Sequence, residues 1–175
     1  MSAPPGSAVW RPKGIVAVLD TSTLVRAWLS REVSPSPARD VMRLAGQAYD
    51  SFTSPAILDE VEEVLHRPRF GAARAHVRLW LDAFLRVSRQ VFPEMIPGGD
   101  PAAVSGDVGD LPILNTAFAV AAGDAEAREV LAAARLGGGW FIVSENTRHF
   151  PPGRNVHGWQ FITAHAFLLL LRRRA

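Results

Sequence analysis

The chain has 175 residues, 48% of them hydrophobic and 21% charged, proportions ordinary for a soluble globular protein with one packed core. Cysteine is absent, which excludes disulfides and thiolate zinc sites, leaves oxygen and imidazole as the only metal ligands, and is compatible with the reducing cytoplasm where the chain is expected. The formal charge is only +2, yet the pI is near 9.9 and Lys13 is the sole lysine. Arginine grips phosphate in a bidentate way, although a high-GC coding bias would enrich it equally.

The N-terminal "MSAPPGSAVWRPKG" lacks the charged-then-apolar order of a signal peptide and reads as a flexible lead-in over residues 1–13, with Trp10 available to dock on the body. A single domain is expected from residue 14 to 175. Its first element is the unbroken apolar run Ile15–Leu19, a strand buried on both faces, closed by Asp20. Leu24, Val25, Trp28 and Leu29 then recur at helical spacing. "REVSPSPARD" reads as a loop, and Ser36 or Pro37 starts a helix through Val41, Leu44 and Ala45. Tyr49 to Thr53 suits a second short strand. Ser54 and Pro55 read as N-cap and first helical residue of a segment whose apolar face is Ile57, Val61, Val64 and Leu65, ended by Pro68.

A helix is expected over about 72–88, with Val77, Trp80, Leu81, Phe84 and Leu85 inward, followed by a strand edge and loop in "QVFPEMIPGGDPAAVSG". Asp110 and Pro112 open a helix through Leu114, Ala117 and Phe118. The stretch 123–139 reads as an added helix or long loop. "WFIVSEN" is a second buried strand ending in polar residues, "TRHFPPGRNVHGWQ" is loop-rich, "FIT" is a last strand, and Ala164 to Leu171 form a final helix. The run at Ala166–Leu171 is far shorter than the ~20 residues needed to cross a bilayer. Alternating strands and helices predict an α/β fold, a three-layer α/β/α sandwich around a central, mainly parallel sheet.

In such sheets functional groups gather at the carboxyl ends of the strands. Asp20 stands at one such end and Ser144, Glu145 and Asn146 at another. Glu60 lies early in its helix, and Asp110 opens another, three residues after Asp107. Carboxylates brought together repel unless a cation compensates them, and oxygen ligands suit Mg²⁺ or Mn²⁺. Thr21 or Ser22 could hydrogen-bond a carboxylate or a phosphate. Each residue also has a plainer reading: Asp20 and Asp110 as helix caps, Glu60 as part of a solvated face beside Asp59, Glu62 and Glu63, Asn146 as a turn former. Order and spacing, rather than any one residue, favour a site.

The order resembles the PIN-domain family, the metal-dependent nucleases that include VapC-type toxins. "VLDTSTLVRAWLS" is similar to that family's opening strand and helix, "TSPAILDEVEEVLHRPRF" to its second element, "DVGDLPILNTAFA" to its third and "FIVSENTRHFPP" to its closing motif. The resemblance implies catalytic roles for Asp20, Glu60, Asp110 and Asn146, with Asp20, Glu60, Asp110 and an accessory Asp107 holding Mg²⁺ or Mn²⁺. Ser22, Ser144 and Arg148 would position substrate. It further implies RNA as substrate, frequent homodimers, and a cognate antitoxin that blocks the site. Arg26, Arg67 and Arg69 join Arg148 as candidate contacts to the RNA backbone. The departure is Asn146, neutral where an acid is common, while Glu145 beside it would point to the other face of a continuing strand. That departure leaves open a PIN-fold module that binds RNA or protein without cutting. A haloacid-dehalogenase-type phosphatase would need a second Asp where Ser22 stands.

Overall fold

The computed structural model describes residues 13–30, 34–93, 108–123 and 125–174. Within them the chain forms β1 (Val16–Leu19), α1 (Thr21–Leu29), α2 (Pro37–Arg43), β2 (Asp50–Thr53), α3 (Pro55–Leu65), α4 (Arg74–Leu85) and β3 (Ser88–Gln90). It continues with α5 (Leu111–Ala122), α6 (Ala125–Gly137), β4 (Trp140–Val143), β5 (Asn155–Val156), β6 (Trp159–Ile162) and α7 (Ala164–Arg172). The strands make one sheet in the order β3-β2-β1-β4-β6-β5, parallel throughout except for the β5–β6 hairpin.

β1 lies between β2 and β4 with helices on both faces, so all four of its residues are buried. That is why it reads as a continuous apolar run rather than an alternating one. The chain steps from β1 to β2 to β3 in one direction, then crosses back to β4 on the far side of β1. Right-handed crossovers therefore place α1 to α4 on one face and α5 with α6 on the other. The packing agrees: α1 touches α2 and α3, α3 touches α4 and α7 returns to α2, whereas α5 packs on α6, β1 and β2 and meets α3 near the cap of α3. α7 is seated through Phe167, whose ring meets Tyr49 and Phe141 at 5.1 and 5.4 Å. The three-layer α/β/α expectation holds.

Local chemistry sets most element starts. Ser36, Ser54 and Thr163 accept the first-turn N–H groups of α2, α3 and α7, and proline follows the first two caps. Two boundaries depart from the sequence reading. The helix expected to reach 88 stops at Leu85, and Ser88–Gln90 pairs with β2 instead, because Val77, Leu81 and Phe84 exhaust the buried face and Val87 is exposed. Trp80 and Leu85 are only half-buried; Trp80 meets Trp28 edge-on at 5.4 Å. The last strand begins at Trp159, ahead of "FIT", because a tight hairpin precedes it. Trp10 lies outside the described residues.

That hairpin turns through His157 and Gly158, with φ of +50° and +90°. Two consecutive positive φ values match the twist of the flanking strands and suit glycine at the second position. His157 packs edge-on against Phe118 of α5, and a Cβ at Gly158 would lie 2.9 Å from Trp140. Gly158→Ala is therefore predicted to destabilise the protein by roughly 2 kcal/mol, from the left-handed backbone and the overpacked indole together. Urea denaturation followed by circular dichroism checks this: the midpoint should fall with an unchanged slope.

Candidate active site

Because β1, β2, β4 and β6 are parallel, their carboxyl ends share one edge of the sheet. Asp20 follows β1 directly, its N–H bonded to Val143 O at 2.9 Å, and is only 9% exposed. It occupies the N-cap position of α1, yet its carboxylate makes no capping hydrogen bond. Instead Oδ2 accepts the hydroxyls of Ser22 at 2.5 Å and Ser144 at 2.7 Å, and those two hydroxyls lie 3.3 Å apart. Ser144 is itself fixed by a bond from its N–H to Ile162 O, so β4 and β6 together determine where the Asp20 carboxylate points.

Glu60 is half-buried in the second turn of α3 and accepts the Thr21 hydroxyl at 2.8 Å. Neighbouring Asp59 is exposed, so Glu60 does not belong to a uniformly solvated face. The cap residue of α3, Ser54, also accepts the Thr116 hydroxyl of α5 at 2.7 Å, tying together the helices behind Glu60 and Asp110. Asp110 closes a short 3₁₀ turn before α5 and is 6% exposed. It too makes no capping bond; His149 Nδ1 lies 3.3 Å from its Oδ1 and 3.1 Å from its Oδ2. Asp107 lies outside the described residues.

The segment after β4 completes the edge. Asn146 is half-buried and its N–H donates to Ser144 Oγ at 3.0 Å, while the N–H of Glu145 donates to Ser22 Oγ at 3.1 Å. The Glu145 side chain turns elsewhere: Oε1 accepts Ala164 N at the start of α7 at 3.1 Å, and Oε2 pairs with Arg26 at 3.4 Å. Glu145 is thus engaged by α7 and does not replace an acid at position 146. Of the arginines considered, Arg26 is paired with Glu145, Arg67 with Glu63 at 3.2 Å, and Arg69 lies 4.5 Å over the Phe70 ring. Arg148 is exposed on the turn that carries Asn146.

The electrostatics follow from this crowding. Burial raises the Asp20 carboxyl above its ordinary value; the Ser22 and Ser144 hydroxyls and the Ser22 backbone N–H oppose that shift and the Asp110 charge adds to it. Burial also raises Glu60, opposed by Thr21 and reinforced by Asp20, Glu63 and Asp110. Asp20 and Glu60 both lie within electrostatic reach of Asp110. Among the described residues, no three His, Cys, Asp or Glu side chains stand together as a ready group of metal ligands. Hydroxyls and an imidazole hold the carboxylates instead. The donors are all hard oxygens on mutually repelling acids, a set whose chemistry fits Mg²⁺ or Mn²⁺.

Two features escaped the sequence reading. Thr21 serves Glu60 while Ser22 serves Asp20, a division that adjacent hydroxyls do not reveal. The His149–Asp110 pair links positions 39 residues apart, and its only sequence signal is that His149 follows the Asn146 motif.

Asp20 and Glu60 hold their protons to higher pH in the folded chain than in the unfolded one. Without a cation, stability from these groups is complete below their ordinary values of 3.8 and 4.5 and is lost as pH rises through the raised values. Asp20→Asn keeps the shape and removes the charge. It is predicted to raise Tm by a few degrees at neutral pH in EDTA and to flatten the dependence of Tm on pH, measured by differential scanning fluorimetry.

The sequence model of one family, described as the PIN domain, matches residues 16–148. Asp20, Ser22, Glu60, Asp110, Ser144, Asn146 and Arg148 lie within that span, while His149, β5, β6 and α7 lie beyond it. No curated protein matches the sequence. PIN domains have a nuclease-type fold, commonly bind RNA and typically use divalent metals. With most of its length matched and the α/β sheet that the family implies, the chain belongs to the PIN-domain family.

Proposed function

We propose that the protein is a Mg²⁺- or Mn²⁺-dependent endoribonuclease that hydrolyses RNA phosphodiester bonds. The observation that carries this reading is the placement of buried Asp20 and Asp110 and half-buried Glu60 at the carboxyl edge of the sheet, with hydroxyl donors already turned onto two of them. In this reading Asp20, Glu60 and Asp110, with Asp107 as accessory, hold the cation. The chemistry supplied by such an ion is activation of water and compensation of charge building on the phosphodiester. Ser22 and Ser144 fix one oxygen of Asp20, Thr21 orients Glu60, and Asn146 at the mouth of the site orients water or phosphate. Arg148 draws the RNA backbone. The finer assignment, a toxin of a type II pair with a cognate antitoxin and a homodimeric assembly, rests on the resemblance of the motif order to VapC-type proteins.

A second reading has its own support. Position 146 is neutral and Glu145 is turned to α7, which favours a PIN-fold module that binds RNA or protein without cleavage. Cleavage of labelled single-stranded RNA by wild type and Asp20→Asn, each in Mn²⁺ and in EDTA, separates the two. The nuclease reading predicts cleavage by wild type in Mn²⁺ alone, reduced at least about 100-fold by the substitution. Equal cleavage by both proteins rejects the metal-nuclease reading. No cleavage by either, with RNA retained, supports the binder.

A further inference from the structure

The acid at the start of α5 is turned away from its own helix. A carboxylate at a helix N-terminus ordinarily caps a first-turn N–H and gains from the helix dipole. Asp110 makes no such bond, and both its oxygens lie within 3.3 Å of His149 Nδ1. For that nitrogen to donate to a carboxylate it must carry the proton.

The imidazole is delivered by an arm fixed at both ends. Asn146 O accepts Phe150 N at 2.9 Å, closing the turn that contains His149. Phe150 is only 2% exposed, and its ring meets Phe161 of β6 edge-on at 5.2 Å. β6 pairs with β4, whose end carries Ser144 and Asn146. The body of the sheet therefore sets the height of the imidazole over Asp110.

We propose that His149 is a positioning residue for the third carboxylate, holding Asp110 off its helical cap and turned toward the cation. The inference rests on the metal-centre reading above. It makes the His-Phe pair one unit: Phe150 anchors, His149 aims, and Asn146 shares the same turn. Hydrogen-bond partners of ligating carboxylates change metal affinity by about 10- to 100-fold when removed.

The test is Mn²⁺ titration followed by the electron paramagnetic resonance of the free ion, with no RNA present. Wild type, His149→Ala, His149→Asn and Asp110→Asn are compared, and circular dichroism verifies the fold of each. His149→Ala is expected to weaken Mn²⁺ binding about tenfold or more. His149→Asn, whose amide can still donate near the Nδ1 position, is expected to recover most of that loss. Asp110→Asn should weaken binding at least as much as His149→Ala. Equal or tighter Mn²⁺ binding by His149→Ala beside a binding wild type overturns the role of His149 alone. A wild type that binds no Mn²⁺ overturns the metal centre and the inference together.

Discussion

A carboxylate at the end of a strand buried on both faces is the constraint around which the molecule is arranged. Strand β1 leaves no apolar residue more than 1% exposed, and Asp20 follows it without a break. A charge in that position needs compensation, because desolvation disfavours the ionised form. Two hydroxyls supply part of it, one from α1 and one from the end of β4, and both act on the same oxygen. The register of β1 against β4 sets this contact: Leu19 opposite Val143 is what brings Ser144 to Asp20.

The other two acids reach the same edge by different means. Glu60 arrives on a helix whose start is fixed by Ser54, and that serine also holds α5 through Thr116. Asp110 arrives at the head of α5 and is met from the opposite side by His149. Each carboxylate is thus aimed by a polar group from another element, while the elements are held by apolar packing beneath. The division is physically sensible. Hydrogen bonds fix orientation at modest net stabilisation, whereas burial of the sheet and helix faces supplies most of the stability. The edge itself works against stability, since burial first and the nearby acids second disfavour the ionised forms of Asp20 and Glu60. Such a site is tolerated where function depends on it.

Much of this was legible in the sequence because it is local. The apolar run ending in Asp20, the Ser-Pro starts at 36–37 and 54–55, and the helical spacing of Ile57, Val61 and Leu65 each depend on a few neighbouring residues. What was hidden is non-local or competitive. Ser88–Gln90 leaves helix for strand because β2 offers it a partner, which periodicity along α4 does not encode. Asp20 and Asp110 both look like caps in sequence, but Ser144 and His149 reach their carboxylates from 124 and 39 residues away, which spacing does not reveal. The turn at His157 and Gly158 was hidden because histidine is an unusual occupant of a positive-φ position; its contact with Phe118 gives it a reason to be there.

The central claim is that side chains 20, 60 and 110 share one divalent cation at the carboxyl edge of the sheet. Anomalous diffraction from crystals of the protein grown with Mn²⁺ tests it most directly. An anomalous peak is predicted within about 2.2 Å of oxygens from Asp20, Glu60 and Asp110, with waters completing a near-octahedral shell. A peak coordinated by other residues, or no peak at saturating Mn²⁺ with the three carboxylates held apart, would contradict it.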